Sequence, residues 1–268
     1  MVLYGDTHIG SPLTHEDGIK ETVDFINKKN RYAIFMGDGI EGITMDDPRF
    51  DPQDKMISLP SQEKDHLINL VRPIRKKHLT WLIGNHEWRL LKFGNMALDI
   101  CKDLEIEYGT WSAKLSIYDE HGLLYRIFVV HGFGSVNSRL PSALRRKTNM
   151  KENLKSKLFL LAGDTMIMAM GHSHKLLIYS PEEQIEMCLT GESKLSQHYD
   201  LPDPPKEGRI PHESRYYINT GSFLKLYGDN DYPQSGYAER MGLTPNELGF
   251  VNIKVRDRKV VGVEKITV

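Results

Sequence analysis

The amino-acid sequence predicts an α/β fold, a layered sandwich of mixed β-sheets flanked by helices, and three observations carry that expectation. Five short apolar runs end abruptly in glycine and polar residues, as strands buried on both faces do. Stretches of helical periodicity lie between the first of them. Two later segments alternate apolar and polar residues around a turn, as antiparallel hairpins do.

In chain order, Val2 to Tyr4 form the first run and lead into Gly5, Asp6, Thr7 and His8. Residues 18–29 place Ile19, Val23 and Ile26 on one helical face. The run 32–36 leads into Gly37 and Asp38; residues 62–77 then carry Leu67, Leu70, Val71 and Ile74 at helical spacing, and the run 79–83 leads into Gly84, Asn85 and His86. Residues 113–130 read as a hairpin turning at Asp119 to Gly122, whose second strand ends at His131 and Gly132. The run 166–170 precedes Gly171, His172, Ser173 and His174, and residues 250–255 and 260–266 form a closing hairpin. Residues 201–212 and 228–247, rich in proline, glycine and polar side chains, are expected to be long surface loops. No repeat or linker divides the chain, so residues 1–268 are expected to form a single domain.

Composition narrows the setting. With 40% hydrophobic and 26% charged residues the chain is an ordinary globular one. No apolar run approaches the roughly 20 residues of a membrane span, and no leader is evident, so no membrane partner is expected. Cys101 and Cys188 lack metal or disulfide spacing, which predicts a reducing, cytoplasmic location. A net charge of -1 gives no global attraction to polyanions. The densest basic stretch, residues 139–157 with Arg139, Arg145, Arg146, Lys147, Lys151, Lys155 and Lys157, reads equally as a nucleic-acid guide or a solvated helix face. Oligomeric state is not legible.

Ligands bind at the carboxyl ends of strands in open α/β sheets. Asp6, His8, Asp38, Asn85, His86, His131, His172 and His174 all fall there, and each is able to bind metal or carry a proton. Asp6 with His8, and His172 with His174, alternate, so in extended backbone each pair points to one side. Carboxylate, imidazole and amide donors without thiolate suit a divalent ion such as manganese, iron or zinc. Seven donors exceed what one open site needs and suit two ions sharing a carboxylate, for which Asp38 is the natural bridge. His15, His66, His78, His121, His198 and His212, placed in loops, turns or helices without partner spacing, are expected to bind no essential metal.

The ordered series Gly5-Asp6-Thr7-His8, Gly37-Asp38, Gly84-Asn85-His86-Glu87, His131-Gly132 and Gly171-His172-Ser173-His174 resembles the five motifs of the calcineurin-like metallophosphoesterase superfamily. Ile218-Asn219-Thr220-Gly221-Ser222 is similar to a strand and turn that follow the last motif in smaller members. The resemblance implies that Asp6, His8 and His174 hold one metal, Asn85, His131 and His172 a second, and Asp38 both. His86 is left as the catalytic residue, protonating the leaving oxygen or stabilising its charge. Two divalent ions, with manganese favoured and iron, zinc, nickel or magnesium as alternatives, are then expected to activate a water against a phosphodiester or phosphomonoester. Nucleotide or nucleic-acid substrates are favoured over protein or small-molecule phosphates. A non-catalytic scaffold of the same fold would be expected to have lost motif residues, and none is missing here. Glu41, three residues past Asp38, receives no role beyond orienting a neighbour.

Overall fold

The fold is a computed structural model that describes residues 1–47, 50, 59–181, 186–190, 194–198, 208–228 and 242–268. Two five-stranded mixed sheets dominate it, and the first has the order β12-β11-β1-β2-β3. Here β1 is Val2–Tyr4, β2 Ala33–Phe35, β3 His78–Trp81, β11 Gly249–Arg256 and β12 Lys259–Thr267. The second has the order β4-β5-β6-β10-β7, with β4 Ser112–Asp119, β5 Gly122–Val130, β6 Ile167–Met170, β7 Leu176–Tyr179 and β10 Tyr216–Thr220. A separate pair, β8 Glu186–Thr190 and β9 Lys194–His198, lies in a stretch the sequence reading left unassigned.

Period-two alternation sorts the first sheet's side chains between two cores. Val2, Tyr4, Ala33 and Phe35 join Ile19, Val23 and Ile26 of α1 (Glu16–Asn27), Leu67, Ile68 and Val71 of α2 (Pro60–Val71), and Ile100, Cys101 and Leu104 of α4 (Met96–Leu104). Leu3, Ile34 and Met36 face the other way, against Tyr125, Ile127, Val129, Ile167, Ala169 and Ile218 of the second sheet. The outer face of that second sheet, through Met168, Met170 and Tyr217, carries Leu154 and Leu158 of α5 (Ala143–Leu158). The order of layers is therefore helix, sheet, sheet, helix, as the predicted sandwich requires.

Several boundaries differ from expectation for identifiable reasons. The helix read over 62–77 stops at Val71 and continues as a 3-10 turn, Arg72–Lys77, because Pro73 has no N–H for the helical ladder. His78, assigned to a loop or helix, opens β3 and is buried, and His198 closes β9. Of the loop expected over 201–212, residues 201–207 lie outside the described residues, whereas Ile210 is buried and its carbonyl accepts from Arg215 at 3.0 Å. Most of the loop over 228–247, with Tyr232 and Tyr237, also lies outside them. Among the described residues no helix is long and apolar enough to cross a membrane.

What positions the site is strand direction. β1, β2 and β3 run parallel to one another, as do β5, β6 and β10. Each set thus presents its carboxyl ends at one sheet edge.

Candidate metal centre

All eight side chains singled out in the sequence lie just past those strand ends, and they converge. Around one point stand Asp6, His8 and His174: His8 Nε2 is 3.1 Å from His174 Nε2, which is 3.4 Å from Asp6 Oδ1. Around a second stand Asp38, His131 and His172, and the Asn85 amide reaches His131 Nε2 at 3.0 Å and His172 Nδ1 at 2.6 Å. Asp38 Oδ2 faces both, 4.0 Å from His8 Nε2 and 3.3 Å from His131 Nε2.

The convergence does not arise from extended alternation. Asp6, His8, Asp38, His172 and His174 all have positive φ, between 49° and 65°, so both alternate pairs are brought together by left-handed turns. Asp and His tolerate that region better than most side chains, and strain of order 1 kcal/mol or more per residue is a mark of functional sites. Glycines make room where backbone approaches these side chains. A Cβ on Gly84 would lie 2.0 Å from Asp38 Oδ1, and one on Gly37, at φ 94°, 2.6 Å from His131 Nδ1.

Neighbours fix each ring. His131 Nδ1 donates to the Met36 carbonyl at 2.8 Å, which aims Nε2 at Asp38. His8 Nδ1 donates to Glu41 Oε2 at 2.9 Å, which orients its Nε2 in the same way. Asp6 accepts the His172 N–H at 3.0 and 3.1 Å through its two oxygens, tying the first motif to the last.

Electrostatics favour positive charge here. Burial opposes ionisation of Asp38, yet His131 and His86 beside it hold its carboxyl well below the usual carboxylate range. Burial also opposes a charged His8, but the Glu41 hydrogen bond and charge, with Asp38 and Asp6, push it up to about 9. Burial is the largest single influence on His131 and opposes its charge, but the charge and hydrogen bond of Asp38, with Asp6 and the Met36 carbonyl, together push it up to about 9. His172 is moved down, by burial first and by His131 next.

The donor set fits divalent cations. The Asn85 amide end that meets the two imidazoles is also 3.1 Å from Asp38 Oδ2. With nitrogen there its two N–H groups are shared among the three; with oxygen there it turns a lone pair toward Asp38 Oδ2 and the two imidazoles, an arrangement a cation relieves.

Three groups do more than the sequence reading assigns them. Glu41 joins His8 through its carboxylate, and its carbonyl accepts from His86 Nδ1 at 2.5 Å. Glu87, read only as part of a motif, is buried and accepts from Gly39 N at 2.6 Å, Ile40 N at 3.2 Å and Gly84 N at 2.9 Å, clamping the second motif to the third. Asn219 braces the last motif, donating to the Gly171 carbonyl at 2.9 Å and accepting from Lys175 N at 3.1 Å. A lone acid three residues after Asp38 was the one available signal for Glu41.

The basic stretch is helical over α5, and part of it is structural. Lys157 donates to the Phe133 carbonyl at 3.1 Å and Arg146 to that of Leu140 at 3.1 Å, so both hold the loop that follows His131.

Comparison with known proteins agrees with this geometry. The family model for calcineurin-like phosphoesterase matches residues 1–197. No match was found among curated proteins. Similar solved structures include zinc-complexed Vps29 from Entamoeba histolytica, at 11% identity and a TM-score of 0.38, covering 100% of this chain and 97% of that one. Another is a conserved uncharacterized protein, a predicted phosphoesterase, from Streptococcus pneumoniae TIGR4, at 11% identity and a TM-score of 0.33, covering 99% and 95%. Those likenesses are too distant to add to the family match. With its motif residues gathered at the strand ends and its family model matched, the chain belongs to the calcineurin-like phosphoesterase family and is a metal-dependent hydrolase of phosphate esters.

Proposed function

We propose that residues 1–268 act as one domain that hydrolyses a phosphate ester at a two-metal centre. Asp6, His8 and His174 would hold one divalent ion, and Asn85, His131 and His172 the other, with Asp38 bridging. The observation that carries this reading is Asp38 Oδ2 turned toward both donor groups, at 4.0 Å from His8 Nε2 and 3.3 Å from His131 Nε2. The mixed oxygen and imidazole donors favour manganese, with iron, zinc, nickel or magnesium as alternatives. When bound, such a pair of ions acidifies a water, neutralises phosphoryl oxygens and aligns attack with the leaving group.

The protein's own part centres on His86. Its Nδ1 donates to the Glu41 carbonyl, so Nε2 is the atom that exchanges a proton with substrate. Its backbone N–H donates to Asp38 Oδ1 at 2.8 Å, which fixes the ring relative to the bridge. Burial pushes His86 down to about 4, the charges of Asp38 and Glu41 only partly opposing it, which favours the neutral imidazole. A phosphoryl anion beside it favours the protonated form, and that proton passes to the leaving oxygen.

Nucleotides or nucleic acid are the favoured substrates, ahead of protein or small-molecule phosphates. A non-catalytic scaffold is disfavoured because every motif side chain is retained. The widely spaced cysteines support a reducing, cytoplasmic setting. The test compares bis-p-nitrophenyl phosphate with p-nitrophenyl phosphate, using chelator-stripped protein with and without manganese. Metal-dependent release is expected, stronger on the diester, and His86→Ala should lower turnover on the order of 10²- to 10⁴-fold while metal content is kept. No activity with any divalent ion would sink the proposal.

A further inference from the structure

The segment that leaves the third motif, Trp88-Arg89-Leu90-Leu91-Lys92-Phe93, is unusual in what it exposes. Leu90 is buried and anchors the segment. Trp88 is 54% exposed, Leu91 37% and Phe93 62%, although burial of such side chains is favourable. Clustered exposed apolar side chains mark interaction surfaces. Arg89 and Lys92, both exposed, alternate with the rings. The Lys92 ammonium lies 4.7 Å over the Phe93 ring, and its 3.3 Å pairing with Asp46, between groups 60% and 66% exposed, is weak enough for a phosphate to compete with.

This strip is continuous with the candidate metal centre. Trp88 is two residues past His86 on α3 (Asn85–Arg89). Its ring meets Trp111 edge to face at 5.9 Å, and Trp111 in turn meets His131 at 5.2 Å, so Trp88 is held at a fixed place relative to a candidate ligand. The five steps from Trp88 to Phe93, through α3 and the 3-10 turn Leu90–Lys92, advance roughly 7.5 to 10 Å at helical rise, near the span of two to three base steps of about 3.4 Å each.

We propose that Trp88 and Phe93 form a stacking platform for the bases of a single-stranded nucleic acid whose phosphate enters the metal centre, with Arg89 and Lys92 facing the adjoining phosphates. The inference rests on the phosphoesterase reading and deepens it by naming the substrate class. Aromatic platforms interleaved with cations are how single strands are bound without sequence preference, and charge complementarity favours a strand over an apolar protein partner.

The test measures binding of a fluorescently labelled, cleavage-resistant phosphorothioate oligodeoxythymidylate and of an abasic strand of the same length and linkage to manganese-loaded protein. Stacking at about 1 to 3 kcal/mol per base predicts at least about a fivefold preference for the base-bearing strand. Trp88→Ala and Phe93→Ala should each reduce that ratio toward one, and Trp88→Phe should restore part of it. Equal binding of the two strands by the wild-type protein would overturn the platform. So would sedimentation showing self-association abolished by Phe93→Asp, since the strip would then be a contact between copies. Hydrolysis of bis-p-nitrophenyl phosphate by the same sample reports the chemistry separately, so loss of the platform and loss of the phosphoesterase reading are distinguishable.

Discussion

Gly84→Ala adds one methyl group where the site has no room for it. The new Cβ would lie 2.0 Å from Asp38 Oδ1 and 2.1 Å from the Asp38 backbone nitrogen. Carbon and oxygen do not approach that closely, so the Asp38 carboxylate or the turn carrying Asn85 and His86 must move by about 1 Å, a misplacement able to cost on the order of 10²-fold in rate. The same oxygen accepts the His86 N–H, so bridge and proposed acid are displaced together. The assay is manganese-dependent hydrolysis of bis-p-nitrophenyl phosphate beside calorimetric titration of manganese, with melting temperature as the check on folding. Gly163→Ala serves as control, because its added Cβ meets nothing within 4 Å. A folded Gly84→Ala protein should bind manganese more weakly and turn over about 10²-fold more slowly. Wild-type metal affinity and turnover in that variant would refute the assignment of Asp38 as the shared ligand.

Other perturbations probe the supports. Glu87→Gln puts an amide nitrogen where backbone N–H groups donate; it should weaken manganese binding by about 10- to 100-fold and lower the melting temperature. Arg215, fully buried, donates to the carbonyls of Phe159, Ala162, Gly163 and Ile210. Arg215→Met should therefore destabilise by about 3 kcal/mol or more, since several buried acceptors lose their donor at once. His78 is pushed from its ordinary 6.5 down to about 4 by burial. The unfolded chain then binds the proton more readily, so stability should fall by about 3 kcal/mol as pH drops from 6.5 through 4, and denaturant titrations of His78→Gln should show a shallower fall.

Much of this site was legible because strand ends announce themselves. An apolar run that stops at glycine and a polar side chain states both a buried strand and what stands at its mouth, and Asp6, Asp38, Asn85, His131 and His172 do lie just past the ends of β1, β2, β3, β5 and β6. The sequence could not say how the donors turn toward one another. The left-handed backbone at Asp6, His8, Asp38, His172 and His174 replaces the extended alternation expected, since the segment after β1 is held by hydrogen bonds to the segment after β2, such as Asp6 N–H to the Gly37 carbonyl and Thr7 N–H to that of Asp38, partners distant in sequence. Residues that act through contacts distant in sequence were the least readable. Glu87 works across 48 residues on Gly39, and Asn219 across 48 on Gly171. The sequence reading finds no partner for His78 because that partner, the Tyr4 hydroxyl at 2.7 Å, lies 74 residues away on β1.

The central claim is that hydrolysis depends on two ions joined through Asp38. Chelator-stripped protein titrated with manganese, with bound metal and bis-p-nitrophenyl phosphate hydrolysis read from the same samples, tests it most directly. The account predicts activity that rises to a plateau at two ions per chain, and in Asp38→Ala the loss of both activity and the second equivalent. Full activity without metal, a plateau at one ion, or an Asp38→Ala protein that behaves as wild type would contradict it.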